Sequence, residues 1–218
     1  MYPAFAAISR DSGRQGRLVN TIGCPPLVRV DGIPEADACR HLHEVAFEVI
    51  ARERISDVVL VARFANYEPR DALAARLETT IAAYAARGVH VSIITHIPEQ
   101  PHFDLKRWAR DRLWLRLGVG DPAAIVRSQS VSRKEHDDQR AFAEAAYAAF
   151  RDDPRVTLID LTSSYCDADT CPAGTAERPF FIDDNHVSAD GALLASRALI
   201  GYLSRASSAS SKVVLPSR

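Results

Sequence analysis

The chain lacks a long hydrophobic run. No stretch reaches the roughly 18 unbroken apolar residues that a membrane-spanning helix needs, so the sequence predicts no transmembrane segment. It also lacks an excess of charge of either sign: 27 Lys and Arg stand against 28 Asp and Glu, a formal net charge of -1. That balance gives no support for binding to nucleic acid or to an anionic membrane surface. No Gly-rich phosphate loop joins a strand to a helix, which leaves little support for a nucleotide-binding protein.

No basic leader opens the chain. The first eight residues, Met-Tyr-Pro-Ala-Phe-Ala-Ala-Ile, carry no positive side chain and no convincing cleavage site, so as it stands this segment is not a secretory signal. A length of 218 residues with 47% hydrophobic and 25% charged residues is typical of one soluble globular domain with a substantial core. We expect this domain to cover residues 1–203 and the Ser-rich residues 204–218 to form a flexible tail.

Cysteine is scarce, and its four residues form two local pairs, Cys24 with Cys39 and Cys166 with Cys171. Sequence does not choose among the three possible connectivities, although local pairing is the simplest because each pair brackets a loop rich in Pro, Gly or Asp. A zinc site is the alternative, but the spacings differ from paired Cys-x-x-Cys ligands and no His is suitably placed. We therefore predict no metal and no cofactor. Disulfides indicate an oxidising compartment such as the periplasm, which contrasts with the lack of an export signal.

What the chain does contain is an alternation of apolar strands and amphipathic helices. Strands are predicted at 17–22, 57–62, 89–95 and 155–160, and helices at 2–14, 37–54, 71–87, 132–150 and 187–203. The pattern predicts a three-layer α/β sandwich around a mostly parallel sheet, with functional loops past the carboxyl ends of the strands. Such a domain usually opens on a strand, whereas this chain opens on a helical stretch. We therefore expect the first strand of the sheet to be missing.

The segment 103–120 combines Trp108, Trp114 and several Leu with many Arg. Two interpretations fit this composition, a helix packed over the sheet and an exposed amphipathic element. Aromatic residues at helical spacing usually belong to a core, so the packed helix is the prediction.

The most informative motif is the stretch 180–192, in which Asp183 stands three residues before His186 on a polar loop. An Asp can orient a His and stabilise its protonated form, so that the His accepts a proton from a nucleophile. The alternative is an ordinary helix N-terminus, with Asp183 or Asp184 as a capping acid and His186 as a solvated neighbour. Chance alone also produces Asp-x-x-His pairs, so the context of the motif decides its meaning.

That context resembles a known family. Residues 181–192 resemble the last block of SGNH (GDSL-like) hydrolases, and more narrowly the SGNH domain joined to bacterial acyltransferase-3 membrane proteins, which O-acetylate surface polysaccharides. Three further segments fit this subgroup: Thr-Ile-Gly-Cys-Pro-Pro-Leu at 21–27, Arg-Phe-Ala-Asn-Tyr at 63–67 (where Trp is usual in place of Phe), and the Cys-bounded loop at 166–171. The similarity covers nearly all of residues 2–203 and implies an SGNH-hydrolase fold of flavodoxin-like type, with the loop at 166–171 closed by a disulfide. From local pairing, we expect Cys24 and Cys39 to form the other disulfide.

The chain departs from this family at the nucleophile. The family's first block is Gly-Asp-Ser-His, whose Ser attacks the acyl group, and it would lie just upstream of Met1. Ser9 and Ser12 have no Gly-Asp before them, so no residue of this chain is assigned as the nucleophile. We expect the chain to be a fragment or a reading frame begun at an internal Met, with a degenerate, non-catalytic relative as the alternative. In either case we expect this polypeptide to be inactive or nearly so.

Two positions match the family's oxyanion donors in part. Gly23 follows the predicted strand at 17–22, where the family's second block supplies a backbone N–H to the growing negative charge. The alternative is a Gly required by the turn into Cys24. Asn66 stands where the family has Gly-x-Asn-Asp, without the Gly and the second acid; the alternative is a loop Asn that makes a turn.

The resemblance implies a serine esterase or O-acyltransferase domain in which Asp183 and His186 are catalytic and an acyl-enzyme forms. Its implied partners are an acyl donor or acylated carbohydrate and, in the full-length relative, a membrane acyltransferase domain, with no nucleic acid. Its implied location is periplasmic or otherwise extracytoplasmic. A polysaccharide-binding module that kept the fold and lost the chemistry is the alternative from a different class of protein.

Overall fold

The computed structural model of the protein describes residues 1–13, 15–21, 23–28, 36–66 and 70–210. The chain forms two compact units, and each is assembled from segments that are far apart in sequence. Unit 1 comprises Met1–Gly16, Ile97–Ala141 and Leu161–Ile200. Unit 2 comprises Arg17–His96, Phe142–Asp160 and Gly201–Arg218.

Helices and strands alternate through most of the described chain. The α-helices are α1 (Tyr2–Ser12), α2 (Ala36–Glu53), α3 (Leu73–Ala85), α4 (Leu105–Arg116), α5 (Pro122–Arg127), α6 (Arg133–Tyr147), α7 (Thr162–Tyr165), α8 (Ala189–Leu194) and α9 (Ser196–Ser210). The strands are β1 (Asp57–Val61), β2 (His90–Ile94), β3 (Val131–Ser132), β4 (Val156–Ile159) and β5 (Thr170–Cys171). Short 3₁₀ segments cover Phe64–Asn66, Arg70–Ala72 and Ala148–Phe150.

Unit 2 is built on a parallel sheet with strand order β1-β2-β4. Val59 lies opposite Ser92 in the first pair of strands, and Ile93 lies opposite Leu158 in the second. The central strand β2 is buried over most of its length, as expected for a parallel strand covered on both faces. The predicted α/β fold with a parallel sheet is therefore confirmed.

The core of unit 2 forms because helix α3 presents one apolar stripe to the sheet. Leu73, Leu77, Ile81 and Tyr84 recur at helical spacing and are all buried in one cluster with residues of β1 and β2. Burying each of these aliphatic side chains is worth about 1.5–3 kcal/mol relative to leaving it exposed. Helix α3 thereby holds the sheet in place, and strand β1 of this sheet leads into the 3₁₀ segment Phe64–Asn66.

Unit 1 has a smaller antiparallel pair, β3 with β5, in which Val131 lies opposite Cys171. Helix α1 packs against α8. An aromatic cluster joins the remaining segments: the ring of Phe103 lies 5.8 Å from that of Trp108 and 6.5 Å from that of Phe181. The ring of Tyr165 lies 6.4 Å from that of Phe181. Phe181, two residues before Asp183, is fully buried in this cluster and anchors the following loop.

Three segments differ from the sequence prediction. Residues 17–21 form no strand: they pair with no other strand of the described chain, and Leu18 is 66% exposed. Ile22, the last residue of the predicted strand, lies outside the described residues. The predicted last helix is broken into α8 and α9 at Ala195, and α9 continues to Ser210, while residues 211–218 lie outside the described part. Helix α4 buries Trp108 but leaves Trp114 half exposed, so it is amphipathic and not packed all round.

Across the ranges described above, no helix combines the length and the hydrophobicity that crossing a lipid bilayer requires.

Candidate active site

The structure brings Asp183 and His186 into direct contact. The imidazole Nδ1 lies 2.8 Å from one carboxylate oxygen of Asp183 and 3.1 Å from the other. The backbone N–H of His186 also donates to this carboxylate, at 2.6 Å. The acid therefore holds both the ring and the main chain of the same His.

The pairing determines which ring nitrogen is available for chemistry. An ionised carboxylate only accepts hydrogen bonds, so in the neutral imidazole the proton is carried by Nδ1 of His186 and Nε2 presents its lone pair. Within its own unit, Nε2 makes no hydrogen bond to a described residue. The His186 side chain is 69% exposed and that of Asp183 is 47% exposed. A hydroxyl group can therefore approach the basic nitrogen.

The Asp183 carboxyl stays ionised because its hydrogen bonds outweigh its burial. Partial burial, the largest single influence, raises the pKa of this carboxyl. The backbone N–H groups of Asn185 and His186, the imidazole hydrogen bond and the imidazolium charge act in the opposite direction. The net pKa of Asp183 lies below its ordinary value of 3.8. The group is thus a fixed negative charge beside the imidazole at neutral pH.

The neighbouring acid has a different role. The side chain of Asp184 accepts a hydrogen bond of 2.6 Å from the amide of Asn185. Its backbone carbonyl accepts one of 2.6 Å from the N–H of Gln100. Asp183, and not Asp184, is therefore the acid that contacts His186.

The loop is closed by main-chain hydrogen bonds into a short hairpin. The N–H of Ile182 donates to the carbonyl of His186 at 2.9 Å, and the N–H of Ser188 donates to the carbonyl of Phe180 at 2.8 Å. The Ser188 hydroxyl caps α8 by accepting from the N–H of Gly191 at 3.1 Å. The Asp-x-x-His turn is thereby fixed to the first turn of a helix.

Gly191 is required for this close approach. A Cβ at this position would overlap the carbonyl of Phe180, lying 2.8 Å from its carbon and closer still to its oxygen. The Gly191 carbonyl also accepts a hydrogen bond of 2.9 Å from the hydroxyl of the buried Tyr165. A side chain on Gly191 would push the helix away from the loop that carries His186.

Gln100 supports the loop from the interior of unit 1, and sequence analysis missed it. This side chain is fully buried. Its amide nitrogen donates to the carbonyl of Cys171 at 2.9 Å, and its amide oxygen accepts from the N–H of Val131 at 3.1 Å. Together with its N–H bond to Asp184, Gln100 joins the loop, β3 and β5. Its partners are backbone groups far away in sequence, so no local signal identifies it.

The two predicted oxyanion positions lie in unit 2. Gly23 occupies a turn with φ of 79°, a conformation that Gly adopts without strain. Asn66 is exposed and ends the 3₁₀ segment that follows β1, with its backbone N–H donating to the carbonyl of Arg63 at 3.0 Å. Asn66 therefore lies past the carboxyl end of a parallel strand, where functional side chains collect in such sheets.

Both cysteine pairs are joined as disulfides, with S–S distances of 2.08 Å for Cys24–Cys39 and 2.00 Å for Cys166–Cys171. Each bond stays within one unit. All four thiols are consumed, so none is left to bind zinc. No cluster of three or more His, Cys, Asp or Glu side chains is positioned to hold a metal ion in the part of the chain that is described.

Comparison with known proteins identifies the family. The model of the SGNH domain (fused to AT3 domains) matches residues 1–200. The chain therefore belongs to the SGNH domain family. No curated protein matches the chain with significance.

Two solved structures share the fold. The periplasmic domain of a lipopolysaccharide acetyltransferase from Salmonella ser. Paratyphi A superposes with a TM-score of 0.62 at 16% identity, covering 94% of this chain and 77% of that one. A protein from Slackia heliotrinireducens assigned to the SGNH hydrolases superposes with a TM-score of 0.58 at 17% identity, covering 92% of this chain and 90% of that one. At these identities the likeness is one of fold.

Proposed function

We propose that this domain serves acyl transfer or ester hydrolysis at an O-acetyl group of a cell-surface polysaccharide, with Asp183 and His186 as its acid–base pair. One observation carries the proposal: the carboxylate binds Nδ1 of His186 and leaves Nε2 basic and exposed. Membership of the SGNH family supports the same chemistry.

In this mechanism Nε2 of His186 removes the proton of a serine hydroxyl as its oxygen attacks the acyl carbonyl carbon. The negative charge of Asp183 stabilises the imidazolium that forms. When the tetrahedral intermediate collapses, the same Nε2–H returns the proton to the departing sugar oxygen, which leaves as an alcohol. The acyl group then sits on the serine as an ester, and water or a second sugar hydroxyl takes it in the reverse sequence of steps.

The backbone N–H of Gly23 and the side-chain amide of Asn66 are the proposed donors to the oxyanion. Such donors stabilise the charge that grows on the acyl oxygen only as the transition state is approached. Support for this role comes from the left-handed turn at Gly23 and from the location of Asn66 after β1.

We assign no nucleophile within residues 1–218. The Ser12 hydroxyl donates to the carbonyl of Ile8 at 2.6 Å, within α1. The Ser188 hydroxyl, two residues from His186, is occupied by Pro179 and Gly191. Without the covalent step, turnover falls by on the order of 10⁴ to 10⁶ by analogy with serine hydrolases that lack one member of the triad. We therefore propose that this polypeptide by itself is nearly inactive.

The proposed partners are an acylated carbohydrate or acyl donor and a membrane acyltransferase domain. The family description, an SGNH domain fused to AT3 domains, supports the second of these. The proposed location is extracytoplasmic, in the periplasm. Two disulfides support it, because such bonds persist in oxidising compartments.

A polysaccharide-binding domain that lost the chemistry is the second candidate. The engaged hydroxyls of Ser12 and Ser188 favour it, since both already donate to backbone carbonyls. This candidate predicts carbohydrate binding that survives His186→Ala.

An acetyl-ester assay tests the proposal. Two proteins are compared, residues 1–218 and the same chain extended through whatever its gene encodes ahead of Met1. We expect the first to match its own His186→Ala variant at background. If that extension brings a serine to Nε2 of His186, we expect the second to hydrolyse the ester and to lose at least about a thousandfold in kcat on His186→Ala.

The chain offers a matched control. His102 is also exposed and pairs with a carboxylate of unit 1, through Nε2 and Glu135 at 3.4 Å. His102→Ala should leave the turnover of the extended chain unchanged. Turnover by the extended chain that persists in His186→Ala would overturn the catalytic assignment. Turnover by residues 1–218 that His186→Ala abolishes would overturn the proposed inactivity, and an inactive extended chain that binds polysaccharide would favour the second candidate.

A further inference from the structure

Helix α4 and the turn after it expose an apolar patch that the proposed chemistry does not use. Leu113 is 57% exposed, Trp114 51%, Leu117 65% and Val119 55%. We call these four residues the α4 patch. Large apolar side chains that stand together on a surface mark contact sites far more often than single ones do.

The patch lies on the face of α4 that points away from unit 1. Trp108 is 2% exposed and marks the inner face of the helix. Lys106, Arg110, Leu113 and Leu117 follow one another at spacings of four, three and four residues, which places them along a single stripe. The exposed stripe is therefore cationic at the start of the helix and apolar at its end.

The charge of α4 is unlike that of the whole chain. The helix carries five basic residues and one acid, a net charge of +4, whereas the chain as a whole carries -1. Asp111 pairs with Arg107 and Arg110. Arg112 and Arg116 make no ion pair with any residue that the structure describes. The near-zero net charge of the chain gave no support for binding to an anionic membrane, but it is an average that includes one strongly basic helix.

The tip of the patch is held in place by a tight turn. The N–H groups of Leu117 and Val119 both donate to the carbonyl of Trp114, each at 3.0 Å. Gly118, with φ of 77°, closes the turn. Leu117 and Val119 therefore lie on a fixed backbone. Little backbone entropy is lost when these two side chains bind to another surface.

We propose that α4 and its patch dock on the surface of an anionic lipid bilayer. A helix with Trp and Leu beside several Arg matches the chemistry of the interface, where apolar side chains enter the acyl boundary and cations bind phosphates. Trp is the residue most suited to this depth. The net charge of +4 on α4 is complementary to anionic headgroups, whereas a second copy of the chain docked through the same face would place two strongly basic helices against each other. These features favour a lipid surface over a second protein.

Vesicle binding by residues 1–218 tests this proposal, and it needs no enzymatic activity. The probe is a phosphatidylcholine vesicle with about one third phosphatidylglycerol, compared with pure phosphatidylcholine. We expect co-sedimentation with the anionic vesicles only, and its loss at about 0.5 M salt, where surface charges are screened. The chain has two Trp and Trp108 is already buried. A blue shift of fluorescence on binding therefore reports the transfer of Trp114.

Two kinds of variant separate the contribution of positive charge to vesicle binding from that of the apolar side chains. Arg110→Gln together with Arg116→Gln should weaken binding by on the order of 25-fold, about fivefold per cation. Trp114→Ala and Leu117→Ser should each weaken binding and leave its salt dependence in place. Arg40→Gln on α2 is the matched control, since this Arg is 64% exposed, and it should bind as the unaltered chain does.

Several results would overturn the proposal. The first is absence of binding to anionic vesicles at low salt. The second is binding to neutral vesicles as strong as to anionic ones. The third is a loss of binding in Arg40→Gln as large as in the double Arg variant of α4. A dimer in sedimentation velocity that Trp114→Ala dissociates would also overturn it, because a second copy of the chain would then cover the patch.

Discussion

Gly191→Ala should detach helix α8 from the loop that carries His186. The new methyl group would overlap the backbone carbonyl of Phe180, and a backbone group has no rotamer to which it can move. The helix must therefore shift away from Phe180. That shift strains two hydrogen bonds, from the Tyr165 hydroxyl to the carbonyl of residue 191 at 2.9 Å and from the N–H of Ser188 to the carbonyl of Phe180 at 2.8 Å.

The expected loss of stability follows from these contacts. Forcing one extra carbon into a packed site costs about 1–3 kcal/mol. Weakening a buried hydrogen bond adds about 1 kcal/mol. We therefore expect Gly191→Ala to lower the free energy of unfolding of unit 1 by about 2–4 kcal/mol.

Urea denaturation measures the total loss, and amide hydrogen exchange locates it. The N–H groups of Ile182 and Ser188 should lose protection, because both close the hairpin around His186. Gly16→Ala is the control within unit 1: a Cβ there meets nothing within 4 Å, so the change should stay within about 0.5 kcal/mol. If Gly191→Ala unfolds at the same urea concentration as Gly16→Ala, the argument from close approach is refuted.

Two further predictions concern acid and the disulfides. The pKa of Asp183 is lower in the folded chain than its ordinary 3.8, so its stabilising contribution is complete above that value and is lost as the pH falls through the folded pKa. Urea midpoints between about pH 5 and pH 2 should therefore fall less steeply in Asp183→Asn, and identical slopes would contradict this assignment. Replacing both cysteines of the pair separated by 15 residues, Cys24 and Cys39, should cost about 3 kcal/mol of unfolding free energy, against about 2 kcal/mol for Cys166 and Cys171, which are 5 apart. Equal or reversed losses by urea denaturation would show that loop entropy is not the dominant contribution.

The sheet was predictable because its strands are continuous apolar runs. β1, β2 and β4 lie within the segments expected to be parallel strands, and continuous apolar runs of this length are typical of parallel strands that are covered on both faces. Segment 17–22 was predicted as a strand on weaker grounds, and its last residue lies outside the described part of the chain. It has only two neighbouring apolar residues, Leu18 and Val19, and no partner strand among the described residues. A strand without a partner has no ladder to stabilise it.

The site was predictable only where its parts are close in sequence. The contact between Asp183 and His186 spans only three residues, so the local motif, together with its resemblance to the last SGNH block, was enough to suggest it. The support from Gln100 depends on β3, β5 and the loop coming together, which no local pattern encodes. The orientation of α4 is a similar case: aromatic residues at helical spacing favoured a packed helix, yet only Trp108 is buried and Trp114 is half exposed. The catalytic role of the pair, and the roles of Gly23 and Asn66, stay predictions.

The interleaved order of the two units has a consequence for synthesis of the chain on the ribosome. Helix α1 packs against α8, which is translated roughly 180 residues later, a delay of about 10–40 s at ordinary elongation rates. Until then the apolar face of α1, formed by Ala4, Ala7 and Ile8, lacks the contacts that α8 supplies. We therefore expect that stalling the ribosome before α8 leaves α1 open to protease.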